Sequence, residues 1–284
     1  KRNLFKVIEP KLKKTAIIAT NTSSIPLEQL TSALKKPERL IGLHFFNPVA
    51  KMPLVEIVVG ELSSKKAQQI AITLTKNIKR LPLPVTSTPG FLVNRILMPY
   101  LTEAVTLFEE GVPITHIDKV AVDFGMPMGP IELADTVGLD ICLKVAENLA
   151  ETMPITVSEY LRKLVSNKTL GKKTGQGFYA FKKGKAIKPK VQANYLAPSD
   201  VEDRMVLRLL NETMACLREH VAETQNFIDA GIVFGTGFAP FYGGPLNYIK
   251  ERGQNNVLMA LEQLEKTHGE RFKPDEGWTT LTIE

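Results

Sequence analysis

His44 closes an apolar run over residues 40–45, and Glu56 lies twelve residues later inside a second apolar run over 54–59. Histidine titrates near neutral pH, and a carboxylate beside it can orient the ring and favour its charged form, which is what a proton-transfer site requires. A histidine or glutamate in a strand is more often a satisfied core residue, so the pair gains meaning only from its surroundings. Asn21-Thr22-Ser23-Ser24 directly follows another β-branched run, 15–20. In an open parallel sheet the ligand crevice lies outside the carboxyl ends of the strands, so Ser23 and His44 are expected at one sheet edge. Ser24 alone reads better as a helix cap. Asn94 falls in the first turn of a long helix entered through the turn Pro89-Gly90. Ser23, His44, Glu56 and Asn94 are therefore expected to converge at a domain junction, a usual place for a pocket.

The elements that must position these residues fall into three segments. Residues 1–87 alternate strand and helix: a helix end over 4–13, strands at 15–20, 40–45, 53–59 and 82–86, and helices at 26–34 and 64–78, the latter capped by Ser63 or Ser64. This order predicts an α/β fold, the C-terminal half of a Rossmann-type doubly wound domain, because no strand begins it. Residues 88–185 read as helical, with helices over 91–111, 114–124, 130–137, 139–150 and 156–165, then a basic glycine-rich loop. A lysine-rich stretch with two prolines makes 186–198 the expected linker. Residues 199–284 repeat the second segment. Arg95 and Glu103 stand eight apart, as do Arg204 and Glu212. Ile117-Asp118, Phe124-Gly125 and Met128-Gly129-Pro130 return in order as Ile228-Asp229, Phe234-Gly235 and Gly243-Gly244-Pro245. A duplicated helical unit is expected, each copy burying an apolar face against the other or against a partner chain.

A hydrophobic content of 44% with 23% charged residues describes an ordinary globular protein, and 284 residues suffice for two or three cores. The net charge of +6 suits an anionic ligand, although a generally basic surface accounts for it equally well. Aromatic residues lie in apolar runs rather than among the lysines, which argues against nucleic acid. No apolar run approaches the ~20 residues of a membrane span. Cys142 and Cys216 sit in apolar helical patterns and read as buried thiols of a reducing compartment, cytoplasm or mitochondrial matrix, rather than a disulfide or metal site. Gly175-Gln176-Gly177-Phe178-Tyr179-Ala180 fits a dinucleotide-binding glycine pattern by letter, but it follows a lysine-rich loop and leads into a strand-like run. The phosphate-binding mechanism needs a strand before and a helix after, so the match is rejected.

The motifs Asn21-Thr22-Ser23-Ser24, Gly42-Leu43-His44-Phe45-Phe46-Asn47-Pro48, Leu54-Val55-Glu56, Thr88-Pro89-Gly90-Phe91-Leu92-Val93-Asn94-Arg95, Pro127-Met128-Gly129-Pro130 and Gly171-Lys172-Lys173-Thr174-Gly175-Gln176-Gly177-Phe178-Tyr179 occur in this order. Together they resemble the L-3-hydroxyacyl-CoA dehydrogenase family over nearly the whole chain. The additional helical copy is similar to that of the multifunctional fatty-acid oxidation enzymes, in which an enoyl-CoA hydratase part comes first and a thiolase subunit often pairs. The resemblance implies NAD-dependent oxidation of (S)-3-hydroxyacyl-CoA in fatty-acid β-oxidation. It implies His44 as general base with Glu56 as its partner, Ser23 and Asn94 as substrate contacts, and Asn21, Ser23 and Asn47 near the nicotinamide of NAD. It also implies an acyl-CoA substrate and a thiolase subunit as partner, while a homodimer is an expectation from the exposed strand edge.

The chain departs from the family pattern in one respect. The family's first βαβ unit, with its glycine loop and acidic residue for the pyrophosphate and ribose, would precede Lys1. The expectation is that these 284 residues bind NAD weakly or not at all and are inactive alone. An unpaired strand edge is expected for the same reason. Two rivals stand beside this reading. One is a dehydrogenase of a sugar nucleotide or another hydroxy acid, against which the His44–Glu56 pair argues. The other is a non-catalytic dimerisation or docking fragment. Whether lysines 171–173 or 182–190 meet CoA phosphates is left open, as is acyl chain length.

Overall fold

The computed structural model describes residues 1–22, 25–189 and 195–283. It begins with helix α1 (Arg2–Ile8), strand β1 (Ile18–Thr20), helix α2 (Glu28–Thr31), strands β2 (Leu40–Phe45) and β3 (Leu54–Val59), helix α3 (Lys65–Asn77) and strand β4 (Leu81–Thr86). The strands form one sheet in the order β1-β2-β3-β4. β1 and β2 are parallel, β2 and β3 antiparallel, and β3 and β4 parallel, so the sheet is mixed. The alternation of side chains along a strand divides its two faces. Ile41, Leu43, Val55 and Ile57 pack with Ala71 of α3 on one side. Leu40, Leu54, Val58, Leu83 and Val85 join the large core on the other. His44 and Glu56 belong by parity to this second face, toward the helices.

Several expected elements differ in extent. The first helix ends at Ile8 rather than residue 13, because Pro10 lacks the N–H that continued helix needs and the chain passes into a 3₁₀ turn. The helix expected over 26–34 is a single turn whose N-cap, Leu27, makes no side-chain cap bond. Ser24 lies outside the described residues, and Thr22 Oγ1 accepts from Ile25 N at 3.3 Å. Ser64, of the two candidate caps, holds the start of α3, accepting from Ala67 N at 3.2 Å.

The first helical unit comprises α4 (Val93–Glu109), α5 (Ile114–Phe124), α6 (Pro130–Val137), α7 (Leu139–Ala150) and α8 (Glu159–Ser166), followed by a hairpin of β5 (Ala180–Lys182) and β6 (Lys185–Ile187). β6 straddles the expected domain boundary at 185/186, so the lysine-rich stretch is partly ordered as a strand. The expected helix over 156–165 begins later, with Ser158 as its cap accepting from Leu161 N. The second unit comprises α9 (Val201–Arg218), α10 (Gln225–Thr236), α11 (Pro245–Arg252), α12 (Gln254–His268) and α13 (Gly277–Thr280).

The two units pack through α4 and α9, whose repeated Arg/Glu spacing becomes a reciprocal pair of ion pairs. Arg95 Nε meets Glu212 at 2.7 Å, and Arg204 meets Glu103 at 2.6 Å. The arginine near the start of each helix meets the glutamate farther along the other, so the helices run antiparallel about a pseudo-twofold axis. The second unit also covers the outer edge of β4: Thr86 N donates to Val221 O at 2.9 Å, and Val85 bridges Ala222. β1 has no strand on its outer side among the described residues.

Candidate active site

The antiparallel register of β2 and β3 places His44 directly opposite Glu56. Side chains so paired share a face within a few ångströms, and His44 Nδ1 lies 2.6 Å from Glu56 Oε2. Glu56 is fully buried and His44 is 5% exposed. A buried carboxylate needs its remaining lone pairs satisfied. Oε1 meets this need by accepting from Leu92 N at 3.0 Å and Val93 N at 2.9 Å, the first amides of α4. The partial positive charge of a helix N-terminus adds to that hold. The carboxylate is thus pinned on one oxygen by backbone and on the other by imidazole.

The turn before α4 makes this possible. Phe91 stands at φ 55°, outside helical space, so the helix starts at Val93 rather than at residue 91. Such a conformation costs a non-glycine residue ~1–2 kcal/mol. It aims the next two amides at Glu56 and sets the Phe91 ring against His44, 5.5 Å between centroids at 64°. Phe46 flanks the imidazole at 4.7 Å and 61°. With Nδ1 facing the carboxylate and aromatic rings beside it, Nε2 is the ring nitrogen left to meet a substrate.

Asn94 is half-buried in the first turn of α4, one residue beyond the amides that hold Glu56. Asn21 follows β1, and its Oδ1 accepts from Phe45 N at 3.1 Å, which ties the carboxyl ends of β1 and β2 together. Asn47 is exposed beyond β2 at a cis Asn47–Pro48 bond. Ser23 lies outside the described residues. The structure therefore brings His44, Glu56 and the start of α4 together, with Asn21 at the neighbouring strand end. Sequence reasoning missed the Leu92 and Val93 amides and the Phe46 and Phe91 walls. The Pro89-Gly90 turn was the available signal for the amides.

The glycine-rich loop is a clamp, consistent with its rejection as a nucleotide site. Asp135 is fully buried and accepts from Phe178 N at 3.0 Å and Tyr179 N at 2.8 Å. A Cβ at Gly177 would fall 1.8 Å from Asp135 Oδ1. Tyr179 Oη donates to Asp118 at 2.9 Å, and Asp118 also accepts from Ile131 N at 2.8 Å. Burial pushes both aspartates up to about 6. Lys173 pairs with Asp140 and Lys188 with Glu132, so two of the lysines weighed as CoA contacts already have partners. Burial pushes the Cys142 thiol up to about 12 and Cys216 well above its usual range, so neither is poised as a nucleophile. Among the described residues no cluster of three metal-ligating side chains occurs, and no helix is long and apolar enough to cross a membrane.

Comparison with known proteins identifies the family. The sequence profile described as 3-hydroxyacyl-CoA dehydrogenase, NAD binding domain, matches residues 1–88, and that of the C-terminal domain matches 90–181. The fatty acid oxidation complex subunit alpha of Idiomarina loihiensis is 38% identical over 96% of this chain and 40% of its own length. That of Vibrio cholerae is 37% identical over 99% and 41%. The chain thus spans about two fifths of the length of these curated relatives. Among solved structures, 3-hydroxybutyryl-CoA dehydrogenase from Escherichia coli superposes with TM-score 0.83 over 98% of this chain and 78% of its own, at 24% identity, a likeness of fold. The dehydrogenase part of multifunctional enzyme 1 from C. elegans gives 0.67 over 99% and 68%, at 28% identity. The chain belongs to the 3-hydroxyacyl-CoA dehydrogenase family.

Proposed function

We propose that this chain is the dehydrogenase part of a multifunctional fatty-acid oxidation protein and acts in the NAD-dependent oxidation of (S)-3-hydroxyacyl-CoA to 3-ketoacyl-CoA. The observation that carries the reading is the chain of contacts from α4 amides through Glu56 to His44 Nδ1. A carboxylate fixed in this way holds the ring as the Nδ1–H tautomer, which leaves the Nε2 lone pair to take the proton of the substrate's 3-hydroxyl. The imidazolium that forms is stabilised by the same carboxylate, in a site shielded by Phe46 and Phe91. Asn94 and Ser23 are assigned to position the substrate's oxygens, which contributes through orientation rather than proton transfer.

NAD, when bound, would supply the hydride acceptor. Asn21 and Asn47, at the carboxyl ends of β1 and β2, fit its nicotinamide end. Asn21 already bridges the two strand ends there. Among the described residues no G-x-G-x-x-G sequence follows a strand and opens a helix. The relatives are named as a complex subunit, which supports a protein partner, and a thiolase subunit is our proposal for it. Two buried free cysteines suit a reducing compartment, the cytoplasm in a bacterial source.

His44→Ala, made in the longer multifunctional protein proposed above and assayed with an acetoacetyl thioester and NADH, is expected to lose about 10²–10⁴-fold in kcat. Turnover close to that of the unaltered protein would remove the assignment.

A further inference from the structure

Helix α10 of the second helical unit lies against the machinery that holds Glu56, and glycine is what lets it do so. Gly231 and Gly235 stand four apart, on one face of this twelve-residue helix. A methyl group added at Gly235 would stand 2.9 Å from both Cγ atoms of Val93 and 3.3 Å from Leu54 Cδ2. One added at Gly231 would stand 2.7 Å from Leu83 Cδ2 and 2.9 Å from Leu92 Cδ2. Leu92 and Val93 are the two residues whose amides bind Glu56 Oε1, and Leu54 lies two residues before Glu56 in β3. Two glycines inside a short helix each disfavour it by ~1 kcal/mol, which calls for a packing reason.

The duplication sharpens the point. The glycine at this landmark in the first unit, Gly125, ends α5 in the left-handed region at φ 114°. In the second unit α10 continues past Gly235, and Gly237 takes the left-handed position at φ 78°. Gly235 is thereby free of a capping role, and close approach to Val93 is the use that remains.

We infer that Gly235, seconded by Gly231, is a positioning residue for the active site: the second helical unit is the back wall that presses Leu92 and Val93 into place, so that their amides hold Glu56 and Glu56 holds His44. This rests on the His44–Glu56 reading above, but its test does not depend on turnover. Three variants would be compared by amide hydrogen exchange and by ring ¹⁵N spectra of His44: Gly235→Ala, which overfills the contact, Val93→Ala, which empties it, and the double variant, which exchanges the volumes. Each single change is expected to speed exchange of the Leu92 and Val93 amides by about tenfold or more relative to the rest of α4, and to admit the Nε2–H tautomer of His44. The double variant is expected to restore both. Should Gly235→Ala alone not fold, recovery of the fold in the double variant reports the same contact. Folded single variants with unchanged local exchange and tautomer, or a double variant no better than the worse single, would overturn the inference. That result would leave the dehydrogenase assignment standing, whereas undiminished turnover in His44→Ala would remove that assignment separately.

Discussion

The two helical units share a scaffold and differ in what they do with it. In each, a buried aspartate on the second helix caps the third at a Gly-Pro start. Asp118 accepts from Ile131 N and Glu132 N, and Asp229 from Leu246 N and Asn247 N. The third helix has eight residues in both units, and one glycine ends it and begins the fourth. The difference lies at the first helix. Leu92 and Val93, just before Arg95 in that unit, donate their backbone amides to Glu56. Val201-Glu202-Asp203 precede Arg204, with Asp203 bound to Arg252 and Asp200 to His268. Acidic side chains at that helix start would repel a carboxylate, so only the first unit can host a residue like Glu56. The caps and the cross-braces occur in both units, while the amides that hold Glu56 occur in the first alone among the described residues.

The largest effect that separates the copies concerns the reciprocal ion pairs. Glu103 is 1% exposed and serves both Arg204 and Arg271, whereas Glu212 serves Arg95 at a wetter position. Glu103→Ala is expected to cost about 3 kcal/mol in urea unfolding, because it leaves buried Arg204 with only the half-exposed Glu110 as partner, and Glu212→Ala less than half of that. Equal costs would break the distinction between the two halves of the pseudo-twofold contact.

A smaller effect tests the shared caps through pH. Burial holds Asp118 up at about 6, above its unfolded value, so the folded state binds more protons between these limits. The resulting stability is fully present below the unfolded value and is lost as pH rises through about 6. Unfolding of the unaltered protein and Asp118→Asn at pH 4.5 and pH 7.5 should differ by about 1–2 kcal/mol more at the acid end. A difference that grows toward pH 7.5 would contradict the assigned direction. Asp229, also held at about 6 by burial, should behave in the same sense.

The smallest effect concerns the third bond to each cap. Tyr179 Oη supplies it to Asp118, and the Asn247 side chain supplies it to Asp229 at 2.7 Å. Tyr179→Phe and Asn247→Ala should each lower stability by about 1 kcal/mol by thermal or urea unfolding. A negligible loss in either would show that the two backbone donors suffice at that cap.

Much of this was legible before any coordinates. The bounds of β2, α5, α6 and α7 agree with the sequence reading residue for residue, because Pro, Gly and Gly-Pro punctuate them. The two apolar runs that carry His44 and Glu56 were legible, but the antiparallel register that sets the two residues opposite each other was not, because the strand order read as a parallel sheet. Other features carried no residue signature. Backbone amides hold half of Glu56, and any residue could have donated them. The left-handed Phe91 breaks the rule that such positions favour glycine, and so hid the start of α4. The eight-residue Arg/Glu spacing was visible, but that each arginine meets the other copy's glutamate depends on antiparallel packing. The β6 strand lay concealed in lysines, whose composition reads as linker.

The central claim is that Glu56, fixed by α4, holds His44 ready to accept a proton at Nε2. It is tested most directly by the ring ¹⁵N–¹H spectrum of His44 in alkaline solution, where an imidazole is neutral. The account predicts that His44 carries its proton on Nδ1, toward Glu56. A neutral His44 protonated on Nε2 would have no lone pair to offer the substrate there, and would contradict it.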